Sequence, residues 1–181
     1  MHKAVLIIDM LNDFFLEGRL KEHRKQLCQN INSLISWARK NKIKIIWVRQ
    51  EFKQDLSDAF LAMRNRRIYK TIEGTDGSRI LSELNWRIDD LEIIKKRYSA
   101  FFKTELDALI EGYEITQLIL CGVNSHACVR MAAIDAFQRD MEVIIASDCV
   151  DSYDIEHHEV SLAYLNKDIA KVLDNRQIMT E

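Results

Sequence analysis

Three observations predict an α/β protein with a parallel sheet covered on both faces. Short apolar runs alternate with amphipathic stretches along the whole chain. The runs are nearly continuous in aliphatic residues, as strands buried on both faces require. Chemically active side chains stand just past three of them: Asp9 after Val5-Leu6-Ile7-Ile8, Lys95 after Leu91-Glu92-Ile93-Ile94, and Cys128 beyond Leu118-Ile119-Leu120. The carboxyl ends of parallel strands are where open α/β sheets bind ligands.

The elements follow in order. Residues 3–9 form the first strand. A helix runs from about Arg24 to Lys40, with Leu27, Ile31, Leu34, Ile35 and Ala38 on one face. Ile43 to Val48 make the second strand. The stretch from Arg49 to Asp90 is long and less regular, with a short helix starting over Asp58 to Met63 and a loop at Glu73-Gly74-Thr75-Asp76-Gly77. A connection of that length inside a compact domain is usually functional, and we take it as a candidate lid. A third strand covers about 90–94, a helix begins near Thr104, and a fourth strand covers about 116–121. A helix from near Ser125 to Asp140 carries Val129, Ala132, Ala133, Ala136 and Phe137 on one side. Val143 to Ala146 form the fifth strand, followed by a helix near 155–165 and a last strand near 175–179.

Composition narrows the function classes. The 181 residues suit one domain spanning 1–181, and 48% hydrophobic content supplies a sizeable core. Twenty-six basic against 28 acidic residues leave a net charge of -2, which predicts no nucleic-acid or membrane-surface partner. No apolar run approaches the ~20 residues of a membrane helix. Cys28, Cys121, Cys128 and Cys149 are widely spaced and form no C-x-x-C pair, so a reducing, cytoplasmic setting is expected. Proline is absent, so any cis peptide bond must be non-prolyl.

A thiol at the start of a helix can serve as a nucleophile, because the helix dipole favours thiolate and free backbone N–H groups can hold an oxyanion. A free cysteine is equally at home as a small buried hydrophobe. Position alone leaves both readings open for Cys128, whereas Cys28, Cys121 and Cys149 read as buried structure. Asp9 follows four aliphatic residues directly, where a carboxylate is costly unless paired or used. Asp13, four residues later, suits a structural turn. Lys95 and Lys96 point to opposite faces, and either reads as an ordinary surface lysine when taken alone.

Together these segments resemble the cysteine hydrolases of the isochorismatase-like superfamily. Ala4-Val5-Leu6-Ile7-Ile8-Asp9-Met10-Leu11-Asn12-Asp13-Phe14 is similar to the opening motif that carries the catalytic aspartate. Lys95-Lys96-Arg97-Tyr98-Ser99-Ala100-Phe101 is similar to the lysine motif, in which the catalytic lysine stands four residues before the serine; this selects Lys95 over Lys96. Gly122-Val123-Asn124-Ser125-His126-Ala127-Cys128-Val129-Arg130 resembles the nucleophile motif, with Ser125 where the family often has threonine. The resemblance implies a three-layer α/β/α, Rossmann-like fold with a six-stranded parallel sheet in the order 3-2-1-4-5-6. It also implies an Asp9-Lys95-Cys128 triad and a cis bond between Val123 and Asn124. The Asn124 and Cys128 N–H groups would form the oxyanion hole. A homo-oligomer is expected on the same ground.

The implied chemistry is hydrolysis of a C–N bond in a small amide, carbamoyl or ureido compound through a cysteine thioester. The N-carbamoylsarcosine and ureidoacrylate amidohydrolase branch is the most similar. The alternative is a vinyl ether hydrolase of the isochorismatase type, a branch that typically lacks the nucleophilic cysteine. No cofactor is expected, and no metal. The nicotinamidase branch binds its metal through an Asp-x-His pair after strand two, yet Arg49-Gln50-Glu51-Phe52-Lys53-Gln54-Asp55 holds no histidine, and none occurs from 24 to 125. The adjacent His157 and His158 read as a solvated helix face, since neighbours on a helix diverge by about 100°. Candidate substrate contacts are Arg49, as a carboxylate clamp or a surface ion pair, and Phe14, as a pocket wall or core. His126 would face the pocket or cap the helix. Tyr98, Phe101 and Phe102 have the same two readings as Phe14.

Overall fold

The computed structural model describes residues 2–180. Six strands, β1 (Lys3–Ile8), β2 (Lys44–Gln50), β3 (Leu91–Lys95), β4 (Gln117–Val123), β5 (Glu142–Asp151) and β6 (Lys171–Leu173), form one all-parallel sheet in the order β3-β2-β1-β4-β5-β6. The helices are α1 (Gly18–Lys40), α2 (Leu61–Arg66), α3 (Leu106–Gly112), α4 (Arg130–Phe137), α5 (Ile155–Asp168) and α6 (Asn175–Thr180). Among the described residues no helix is long and apolar enough to cross a membrane.

One strand feeds two cores. In β1, Ala4, Leu6 and Ile8 pack with Leu106 of α3, Ala132, Ala133 and Ala136 of α4 and Leu165 of α5. Val5 and Ile7 pack on the other face with Leu27, Ile31, Leu34 and Ile35 of α1 and Ile178 of α6. Side chains alternate across a strand, so an unbroken aliphatic run is what two covered faces demand.

The sequence reading differs from the structure at several boundaries. The first helix begins at Gly18 rather than Arg24, because its extra turns bury Leu20 and carry Arg19 and His23 onto Asp151 of β5. The fifth strand continues past Ala146 to Asp151, with a register shift opposite Leu120 and Gly122. The short helix expected from Asp58 lies at Leu61–Arg66. The last strand expected at 175–179 is wrong: β6 is Lys171–Leu173, and residues 175–180 are helical. Asp174 and Gln177 each accept the other's backbone N–H, at 2.7 and 2.9 Å. That reciprocal pair is a capping box, a helix-start signal present in the sequence. The 49–90 segment folds as a packed cap. Phe52, Leu56, Ala59 and Ile72 form a small core of their own within it, and Phe52 bridges Ile72.

At the sheet's switch point β1 and β4 approach too closely for any side chain between them. Gly122 has φ 106°, and a Cβ there would sit 2.0 Å from the Ile8 carbonyl oxygen. The obstacle is backbone, so no side chain can move aside to relieve it. Gly122→Ala should therefore cost about 3 kcal/mol or more. Urea unfolding checks this, and an unchanged midpoint would refute the close-approach argument.

Candidate active site

The carboxyl ends of β1, β3 and β4 bring three side chains together. Asp9 follows β1 in a left-handed backbone conformation, φ 53°, which interrupts the strand's alternation. Aspartate tolerates that region better than most residues. Its backbone N–H donates to the Val48 carbonyl at 2.8 Å, and its Oδ1 accepts the Gln50 N–H at 2.7 Å. Both contacts tie it to β2 and fix the carboxylate.

Lys95 ends β3, on the same face as Ile93. That strand is two places from β1, about 10 Å at ~4.8 Å per strand, and the long side chain spans the gap. The Lys95 Nζ lies 2.7 Å from Asp9 Oδ2 and 3.4 Å from Cys128 Sγ, and donates to the Arg97 carbonyl at 3.2 Å. Both ions are fully buried. Lys96 faces the other way, with its Nζ 2.9 Å from Asp58 of the cap.

Cys128 sits in a turn that is not an ordinary helix start. The Val123–Asn124 peptide is cis, and residues Ser125–Val129 form a single π-helical turn before α4. The Asn124 carbonyl accepts from Ala127 N at 3.0 Å and Val129 N at 3.2 Å. Those two bonds step over the intervening Cys128 amide. Such π-bulges occur frequently at functional sites.

The electrostatics of the site differ from the sequence expectation. Burial, with the Asp9 charge and a hydrogen bond to Asp9, pushes the Cys128 thiol up to about 12 against the opposing effect of Lys95. Burial thus outweighs any helix-dipole preference for thiolate. For Lys95, burial works against the charge, but Asp9 and Cys128 more than offset it and the ammonium is held above its ordinary value. The resting site is a neutral thiol beside a buried ion pair. The other three thiols are buried as well, as the sequence reading held for each.

A cleft of about 650 Å³ adjoins the turn, lined by Phe14, Arg19, Tyr69, Lys70, Asn124 and Tyr153 among others. Phe14 is therefore a wall of it, with the Lys70 Nζ 4.6 Å from its ring centroid. Arg49 is elsewhere. Its guanidinium donates to Glu51 at 3.1 Å, Glu92 at 2.9 Å and the Ser78 carbonyl at 2.8 Å, so the ion-pair alternative describes it. His126 turns to Ser152, and its ring packs edge-on against Tyr153 at 5.0 Å. Phe101 is core, and Tyr98 packs against Phe60. Asp13 is structural, accepting the Thr71 N–H at 2.6 Å.

Sequence reasoning missed the anchoring of the nucleophile turn. The Asn124 Oδ1 accepts the Tyr153 N–H at 3.2 Å, and Ser125 Oγ lies 2.8 Å from His158 Nδ1. His157 pairs with Asp154 at the start of α5. The adjacent histidines are thus not one solvated face: His158 is half-buried against the turn. Their distance in sequence from Cys128 hid this. Among the described residues no three His, Cys, Asp or Glu side chains are grouped as a metal site.

An isochorismatase domain model matches residues 3–177. A probable inactive nicotinamidase from Arabidopsis thaliana is 30% identical over 167 residues, covering 88% of this chain and 85% of that protein. The crystal structure of an isochorismatase-like hydrolase from Alkaliphilus metalliredigens superposes with a TM-score of 0.84 at 27% identity, covering 99% and 98% of the two chains. That of a nicotinamidase from Bacillus subtilis gives 0.81 at 26%, covering 92% and 96%. Sequence and fold agree over nearly the whole length, and the chain belongs to the isochorismatase family of hydrolases.

Proposed function

We infer that the protein is a cysteine-dependent amidohydrolase cleaving a C–N bond of a small amide, carbamoyl or ureido compound. The observation that carries this is the Lys95 ammonium set between the Asp9 carboxylate, at 2.7 Å, and the Cys128 sulfur, at 3.4 Å, with all three buried. A binding module gains nothing from that arrangement. The presence of Cys128 speaks against the vinyl ether branch, and the similarity to a nicotinamidase supports amide chemistry.

Asp9 takes the thiol proton as the Cys128 sulfur attacks the substrate carbonyl, forming the S–C bond. Lys95 keeps the pair neutral overall and holds the thiolate as it forms. The oxyanion is received by the Asn124 and Cys128 N–H groups, the latter left aside by the π-turn bonds. Asp9 then gives its proton to the departing nitrogen. Water, deprotonated by Asp9, opens the thioester, and the proton returns to sulfur. No step calls for a metal or cofactor.

Ammonia release from a panel of amides and N-carbamoyl acids should identify a substrate. Release of a carbonyl compound from a vinyl ether, without ammonia from any amide, would replace this reading with the ether hydrolase. Cys128→Ser should abolish turnover with little change in melting temperature, since the swap is nearly isosteric. EDTA should leave the rate unaltered; activity lost on chelation and regained with added metal would overturn metal independence.

The proton-acceptor role has its own test. Asp9 raises the thiol's pKa, so Asp9→Asn should bring the ultraviolet thiolate absorbance of Cys128 in at lower pH than the parent's value of about 12. Turnover should nevertheless fall by at least ~100-fold, because the amide cannot accept a proton. An Asp9→Asn variant with near-parental turnover would remove Asp9 as the base.

A further inference from the structure

The turn that carries Cys128 is contacted from outside by the segment that joins β5 to α5 and by the first turn of α5. Three side-chain contacts link the two: Asn124 Oδ1 with Tyr153 N, His126 Nδ1 with Ser152 Oγ, and Ser125 Oγ with His158 Nδ1. The last of these has a direction that chemistry fixes. Ser125 is fully buried, and His158 is the side-chain partner of its hydroxyl among the described residues. A buried hydroxyl hydrogen left without an acceptor carries the full desolvation cost of the group. Ser125 must therefore donate, and His158 Nδ1 must be the unprotonated ring nitrogen.

We propose that His158 is a positioning residue for Cys128. Its neutral, Nε2-protonated tautomer accepts the Ser125 hydroxyl and so fixes the turn that presents the sulfur and its amide. Protonating Nδ1 puts a donor against a donor. Ser125 must then rotate to accept, which leaves its own hydrogen unsatisfied in a buried site, and the turn loses that restraint. The residue thereby makes a working nucleophile conditional on a neutral imidazole.

The surroundings of His158 set where that change falls. Asp151 of β5 favours the charged ring; Arg19 of α1 opposes it, and Glu159 on the same helix favours it. His23 is bound to Asp151 at 2.8 Å, Asp148 lines the same small cleft, and His126 interacts with His158 through the turn. Burial is the largest effect and holds the ring below its ordinary value, so neutral pH keeps the acceptor form.

Ring-nitrogen and amide NMR of the free protein tests this without a substrate, so it stands apart from the amidohydrolase reading. The neutral His158 ring should show an unprotonated Nδ1. The Cys128 amide resonance should shift with the midpoint of the His158 titration. That component should vanish in His158→Asn, whose side chain offers an acceptor near the Nδ1 position but does not titrate, and in Ser125→Ala. A protonated Nδ1 in the neutral ring would overturn the proposal. So would a Cys128 amide that ignores the His158 titration, or one that follows it unchanged in Ser125→Ala.

Turnover on any substrate from the ammonia panel gives a second arm. Ser125→Ala and His158→Ala should each lose roughly ten- to hundredfold in kcat, and the double variant should lose no more than either. His158→Asn should recover turnover relative to His158→Ala and lose the acid limb contributed by His158. Additive losses, or a pH profile identical in parent and His158→Asn, would refute the positioning role.

Discussion

A carboxylate and an ammonium without any solvent contact are the constraint on which this molecule is built. Burying Asp9 and Lys95 costs several kcal/mol per ion, recovered only if geometry is good and the remaining lone pairs and protons are satisfied. The sheet supplies partners for most of these groups. Asp9 Oδ1 accepts from the Gln50 amide, Oδ2 is held by ion pairing to Lys95 rather than by a hydrogen bond, and the ammonium also finds the Arg97 carbonyl and the Cys128 sulfur. A further property follows from the dry setting. In the proposed mechanism, moving the Cys128 proton to Asp9 leaves the total charge of the three groups unchanged, so a thiolate would form without adding net charge to a buried site. A resting thiol pushed up to about 12 by burial and Asp9 is therefore compatible with the proposed mechanism, because Asp9 is its hydrogen-bond partner.

The same point in the sheet demands two kinds of closeness. Gly122 lets β4 pass against the Ile8 carbonyl, and directly after it the cis peptide and the π turn redirect the chain toward Asp9. Beside its contacts with the strand and α4, the turn is reached by Tyr153 and by His158 of α5, residues about 30 positions away.

Much of the site was legible because its signals are local. A carboxylate directly after an aliphatic run, as at Asp9, is costly unless paired or used, and the lysine motif, with its serine four residues on, selected Lys95 over Lys96. Alternation along β3 made the same choice physically, sending Lys95 inward and Lys96 to Asp58. The capping box at Asp174 and Gln177 was also local, and reading 175–179 as a strand passed over it.

Arg49 shows where local reading stops. Its place just past strand two fits a substrate clamp, but Glu92 comes from β3 and Ser78 from the cap, and those neighbours take the guanidinium. His158 is the reverse case, a histidine on an amphipathic helix that folding brings against the nucleophile turn. The sequence by itself determined the first five strands and their burial on both faces, since periodicity is a property of neighbouring residues, and its resemblance to the family's motifs singled out Asp9, Lys95 and Cys128. Only the tertiary structure decided which polar side chains are free to meet a ligand and that the thiol rests neutral. Both depend on desolvation and on partners contributed by segments remote in the chain.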